Sequence, residues 1–104
     1  MWLDIEASGA LLDRTCREYT DGVDHGELWG PKLVSAKFHA VEAAWRVADR
    51  ALDVVGGFGI FPASGIERML RDARMGRLHP TNAMLTREIV GKAMLGVDLD
   101  EQPR

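Results

Sequence analysis

Between Val34 and Val55 this chain repeats apolar residues at alternating spacings of four and three: Val34, Phe38, Val41, Trp45, Ala48, Leu52 and Val55. Six turns of such spacing can only be an amphipathic helix, because a strand would need a period of two. Pro31 suits the first turn, where its missing N–H is no loss. Gly56 and Gly57 stop the helix, one of them expected in the left-handed cap conformation. Ala36, Ala40, Ala43, Ala44 and Ala51 widen the apolar face beyond one seam, so the helix should be buried on more than one side.

Three further helices follow from the same reasoning. Near the N-terminus Trp2, Ile5, Gly9, Leu12, Cys16 and Tyr19 alternate by three and four, with the charged residues largely off that seam. The glycine-rich stretch from Asp21 to Pro31 breaks it. A third, shorter helix is expected to start at Ser64, where Ser64-Gly65-Ile66-Glu67 fits a capping box. A fourth begins near Thr81 or Asn82, after Pro80, and runs to about Leu95 with Leu85, Ile89 and Ala93 on one face and Gly96 as its cap. No strand, repeat or low-complexity tract interrupts the pattern. The expected fold is all-α, an antiparallel bundle of four helices over residues 1–96, followed by a polar tail over 97–104.

Composition narrows the function. A chain of 104 residues holds one modest core, and a formal charge of −3 argues against the basic footprint of a nucleic-acid binder. Cys16 is the single cysteine, which excludes an intramolecular disulfide and a cysteine-based zinc site. No apolar run reaches the roughly 18 residues of a membrane span, and the N-terminus lacks the pattern of a signal peptide, so a cytoplasmic location is expected. His39 and Glu42 reverse the Glu-x-x-His order of di-iron bundles and have no second copy, so no metal is expected.

Two segments carry possible chemistry. Gly56-Gly57-Phe58-Gly59 could let a phosphate approach exposed backbone N–H groups, or could be an ordinary helix cap and turn. Thr81 and Asn82, at a helix entrance, could bind an anion or serve as N-caps. Arg68, Arg71 and Arg74 lie on one face, with Glu67 and Asp72 close enough to pair with them, which favours a salt-bridged surface over an anion grip.

The helix ending in Gly56-Gly57-Phe58-Gly59, the linker, and Glu67-Arg68-Met69-Leu70-Arg71-Asp72-Ala73-Arg74 together resemble the C-terminal helical domain of the acyl-CoA dehydrogenase flavoproteins. The resemblance runs from about Trp2 to Leu95. It implies an FAD-dependent oxidoreductase domain acting on the CH–CH bond of an acyl-CoA, with electrons passed to an electron-transfer flavoprotein in a complete assembly. It also implies that Gly56 and Gly57 touch FAD across a subunit boundary, and that the domain supplies subunit interface.

Two departures accompany it. Asp53 and Val55 stand where the family often has Gln and His, and the aspartate would repel a pyrophosphate. Counting forward from Arg74 puts Pro80 at the position of the family's catalytic glutamate, Thr81 at its glycine and Asn82 at its threonine. Proline cannot take a proton, His79 beside it is a weak substitute, and Glu88 lies two turns away, so no catalytic residue is assigned. The alternative is a non-catalytic helical module that docks on a full-length flavoprotein subunit or on itself. Either way, the apolar faces exceed what four short helices can cover, and self-association or a partner is expected.

Overall fold

The computed structural model describes residues 1–98 and Asp100; of the tail expected over 97–104, residues 99 and 101–104 lie outside the described residues. Four helices form: α1 (Trp2–Thr20), α2 (Trp29–Val55), α3 (Ile66–Leu78) and α4 (Ala83–Leu95). Single turns of 3₁₀ helix at Gly26–Leu28, Gly56–Ile60 and Pro62–Ser64 join them, and no strand occurs among the described residues.

Helix α2 is the spine. α1 runs antiparallel along one edge, tied by Asp4 to Arg46 at 2.9 Å and Arg50 at 3.0 Å, and by Glu18 to Lys32 at 3.1 Å. α3 runs antiparallel along the C-terminal half of α2, where Arg77 meets Glu42 at 2.8 Å and an added Cβ on Gly76 would lie 3.2 Å from Val41. That close approach is the reason a glycine serves in the last turn of α3. α4 takes the N-terminal part of α2, with Arg87 over the Phe38 ring at 5.8 Å and Val90 and Met94 beside Pro31 and Ser35. α3 and α4 therefore share the length of α2 between them.

The result is a slab, 49 × 38 × 18 Å, with a radius of gyration of 16.7 Å against about 13 Å for a compact chain of this size. Among the described residues Pro31, Ala36 and Ala43 are the buried apolar side chains, so the core is a line of close helix contact rather than a filled interior. The α2 seam read from the sequence is half-buried from Val34 to Leu52, facing α3 and α4.

The α1 seam faces the other way. Trp2 is 70% exposed, Ile5 51%, Leu12 40% and Tyr19 69%, and Gly9 and Cys16 are exposed too. The edge against α2 is instead Asp4, Ser8, Leu11, Thr15 and Glu18. Its polar members have partners: Ser8 bonds His39 at 3.1 Å, and the buried Thr15 hydroxyl donates to the Leu11 carbonyl at 2.8 Å. Ion pairs at both ends, with small alanines opposite, fix this rotation.

Two further expectations change. α3 starts at Ile66, because Gly65 takes a left-handed conformation (φ 71°, ψ −12°) that no helix continues through. The capping box does not close: Glu67 pairs with Arg71 at 3.0 Å, and the Ser64 hydroxyl accepts from Ile66 N–H at 3.2 Å while lying 2.9 Å from the Gly59 and Phe61 carbonyls. On α4 the buried position is Thr86 rather than Leu85. Its ends fall as expected, with Asn82 capping Leu85 N–H at 3.1 Å and Gly96 left-handed.

The α1 clamps give the fold an acid limit. The Asp4 carboxyl is held below its usual range by hydrogen bonding to Arg46 and the charges of Arg46 and Arg50, and Glu18 by hydrogen bonding to Lys32 and His25. Folded pKa values below the unfolded ones mean that this stabilisation is complete above the ordinary carboxylate range, near about 4 to 4.5, and is lost as pH falls through the folded values. Chemical denaturation from pH 7 to pH 3 should show a decline confined to the acid end. Asp4→Asn with Glu18→Gln should lower stability at pH 7 and flatten that decline, and an unchanged acid limb would refute the assignment.

Candidate functional site

The two glycines that end α2 differ in kind. Gly56 has φ 67° and ψ −153°, a region open in practice to glycine alone, so it is not the left-handed helical cap expected. Gly57 has no positive φ, and a Cβ built on it would meet nothing within 4 Å. Nothing in the fold requires glycine at position 57. Gly59, by contrast, is buried, and a Cβ there would come within 2.5 Å of a Leu52 methyl, so the turn folds back on α2 through it.

Exposed apolar side chains ring this turn: Val54, Val55, Phe58, Ile60 and Phe61, with the Phe58 and Phe61 rings 6.5 Å apart. Asp53 is exposed beside them. The turn thus combines open backbone with an uncovered apolar collar.

Thr81 and Asn82 sit in the α3–α4 loop, and Lys37 of α2 holds that loop in place. Its ammonium group donates to the carbonyls of His79 at 3.0 Å and Thr81 at 2.7 Å. Sequence reasoning missed Lys37, since a lysine on an amphipathic helix reads as solvated surface and its acceptors lie over 40 positions away. Asn82 spends its side-chain oxygen on the cap, and Thr86 N–H bonds the Asn82 carbonyl at 2.9 Å. The N–H groups of Ala83 and Met84 have no acceptor within the helix. His79 and Pro80 are exposed, and Glu88 pairs with Lys92 at 3.0 Å along α4.

The structure does not bring the two predicted pairs together. Nineteen positions of α2 separate Lys37 from Gly56, roughly 28 Å at helical rise. No single phosphate can reach both. The arginines of α3 are engaged: Arg68 lies 3.7 Å from Asp72, Arg71 pairs with Glu67, and Arg74 and Arg77 lie 5.7 and 5.6 Å from the Trp45 ring centroid. Among the described residues no three His, Cys, Asp or Glu side chains converge as metal ligands, and no helix is long and apolar enough to cross a membrane.

A single long helix ended by the glycine turn, with an arginine-bearing helix packed back on it, defines an all-helical domain. Residues 1–95 match the family described as "Acyl-CoA dehydrogenase, C-terminal domain", and the chain belongs to that family. It is 34% identical over 91 residues to cyclohex-1-ene-1-carbonyl-CoA dehydrogenase of Geobacter metallireducens, covering 88% of this chain and 23% of that protein. It is 26% identical over 95 residues to the acyl-CoA dehydrogenase FadE12 of Mycobacterium tuberculosis, covering 91% and 24%. Over 43 residues it is 44% identical to the mitochondrial very long-chain specific acyl-CoA dehydrogenase of Mus musculus, covering 41% and 7%. The chain therefore spans about a quarter of the length of the first two relatives. No solved structure matches.

The two glycines make a direct test. Gly56→Ala should destabilise the fold by about 1–3 kcal/mol, since its conformation is strained for any side chain. Gly57→Ala should leave the melting midpoint within about 2 °C, and equal losses at both positions would contradict the distinction drawn here.

Proposed function

We propose that this chain is the C-terminal part of an acyl-CoA dehydrogenase-like FAD-dependent assembly, supplying subunit interface and edges of cofactor sites without a catalytic base of its own. The observation that carries this is Gly57, a glycine the fold does not need, open on all sides within a turn that the family match covers. The α4 entrance adds to it. The N–H groups of Ala83 and Met84, the Thr81 hydroxyl and the Asn82 amide nitrogen are suited to an anionic group at a helix N-terminus. These groups fit parts of FAD, whose isoalloxazine ring supplies the redox chemistry when bound, but they cannot enclose it.

The roughly 28 Å of helical rise between Lys37 and Gly56 favours different places on the cofactor, or two cofactors in a symmetric assembly. Gly56 and Gly57 would lie against one and Thr81 and Asn82 against the other. Acyl-CoA and an electron-transfer flavoprotein would meet only the complete assembly. Pro80 leaves proton abstraction to a group outside this chain. A cytoplasmic location accords with this reading.

The second reading, a helical interaction module with no redox role, is favoured by Asp53 beside the glycine turn. Co-purification separates the two. Under the first, the chain recovered from its own cells carries a larger partner and absorbs near 450 nm, roughly where oxidised flavins absorb, and Gly57→Trp abolishes the colour while leaving helicity intact. A colourless oligomer with no partner would leave only the interaction module. Asn82→Ala should cost about 1 kcal/mol through the lost cap whichever reading holds, measured by urea denaturation.

A further inference from the structure

The cleft between α2 and α3 holds two donor groups that the protein itself does not use. It measures about 570 Å³, opens to solvent and is lined by Trp45, Leu70, Arg71, Asp72, Arg74 and Met75. Helix α3 carries four arginines, and three have carboxylates: Arg68 has Asp72 at 3.7 Å, Arg71 has Glu67 at 3.0 Å and Arg77 has Glu42 at 2.8 Å. Among the described residues Arg74 has none. Its guanidinium rests 5.7 Å from the centroid of the Trp45 ring, a contact that orients the group without neutralising it. The Trp45 N–H likewise has no acceptor among the described residues, whereas the Trp29 N–H donates to the Val23 carbonyl at 3.0 Å.

We propose that this cleft binds a flat aromatic carboxylate, with the carboxylate on the Arg74 guanidinium and the rings against Trp45, Leu70 and Met75. Charge sets the valence of the anion. The four arginines pair with three carboxylates, Glu42, Glu67 and Asp72, which leaves one positive charge here in a chain of formal charge −3. One carboxylate balances that charge. A phosphate dianion would exceed it, with Asp72 on the rim to repel the excess. Shape sets the rest. A guanidinium is a rigid planar fork that takes a carboxylate through two parallel N–H bonds and stacks on rings. Trp45 offers an indole for offset stacking, Met75 a sulfur suited to a ring edge, and Leu70 an apolar wall. The volume lies within the about 300–1,000 Å³ of small-molecule sites, enough for a two-ring acid.

The surroundings hold Trp45 in place without engaging Arg74. Arg77, fixed by Glu42, lies 5.6 Å from the same ring centroid, and Gly76 brings α3 close to Val41, one helical turn before Trp45. The cleft is also separate from both candidate cofactor edges. Trp45 stands eight positions after Lys37 and eleven before Gly56, about 12 and 17 Å of helical rise.

Magnetic resonance of the isotope-labelled, flavin-free 104-residue chain tests this independently of the cofactor reading. Naphthoate should shift the Trp45 indole N–H signal, identified by its loss in Trp45→Phe, and leave those of Trp2 and Trp29 in place. Saturation is expected at about millimolar concentration, as for one charge-assisted contact on an open cleft. Naphthamide, equal in shape and uncharged, should bind at least about tenfold more weakly. Arg74→Gln should weaken naphthoate binding by a similar factor with far-UV circular dichroism unchanged, and Arg87→Gln, at the Phe38 ring, should not. An unmoved Trp45 signal at about 10 mM naphthoate, equal binding of the amide, or full binding by Arg74→Gln would each overturn the proposal. So would AMP shifting the Trp45 signal where naphthoate does not, which would make the cleft a nucleotide phosphate site.

Discussion

Two carboxylates, one near each end of α1, decide which face of that helix the protein hides. Asp4 is gripped by Arg46 and Arg50, and Glu18 by Lys32 and His25. Each of these partners sits on α2 or just before it, so the pairs act as stops on rotation of one helix about the other. Between them lie Ser8, Leu11 and Thr15, opposite alanines small enough to let the backbones approach. A hydrophobic seam would ordinarily win this competition, since burying one large side chain is worth about 1.5–3 kcal/mol. It does not win here: Trp2, Ile5 and Tyr19 stay exposed while Asp4, Ser8, Leu11, Thr15 and Glu18 face α2.

From that rotation the rest of the architecture follows. α2 is left with an alanine edge for α1, a Val–Phe–Trp edge for α3 and α4, and a third, uncovered strip. Because α3 and α4 divide the length of α2, each contributes only about two to three turns of contact, and neither can reach α1's outer seam. The slab is thin. Its thickness of 18 Å is less than two helix diameters of about 10 Å.

Apart from the start of α3, displaced from Ser64 to Ile66 by left-handed Gly65, helix limits were legible in the sequence because they rest on local chemistry. Pro31, Gly56, Asn82 and Gly96 all act where a residue's own φ or side-chain oxygen decides the matter. The α2 seam was legible because both its neighbours lie within the chain. Periodicity located the α1 stripe correctly but could not say that its partner is absent from the fold. The polar contacts to α2 that displace it join residues 14 to 46 positions apart, a range that spacing rules do not reach. For the candidate site, the glycine turn stood out as a motif, yet only backbone angles distinguish Gly56, which the fold needs, from Gly57, which it does not. Lys37 and Gly76 carried no local signal at all.

Proton abstraction and phosphate binding make different demands on a fold. Proton abstraction needs a titratable group held at a chosen point in a dry site, and the loop offers Pro80 and an exposed His79 instead. Binding a phosphate edge needs only oriented N–H groups and room for approach, and those come from secondary structure itself: a helix entrance at α4 and a glycine turn at the end of α2. Lys37 fixes the first by holding His79 and Thr81 through their carbonyls, and Gly59 fixes the second by closing on Leu52. Neither support depends on what stands at position 80. The contacts that shape the helix entrance and the glycine turn also hold the helices together.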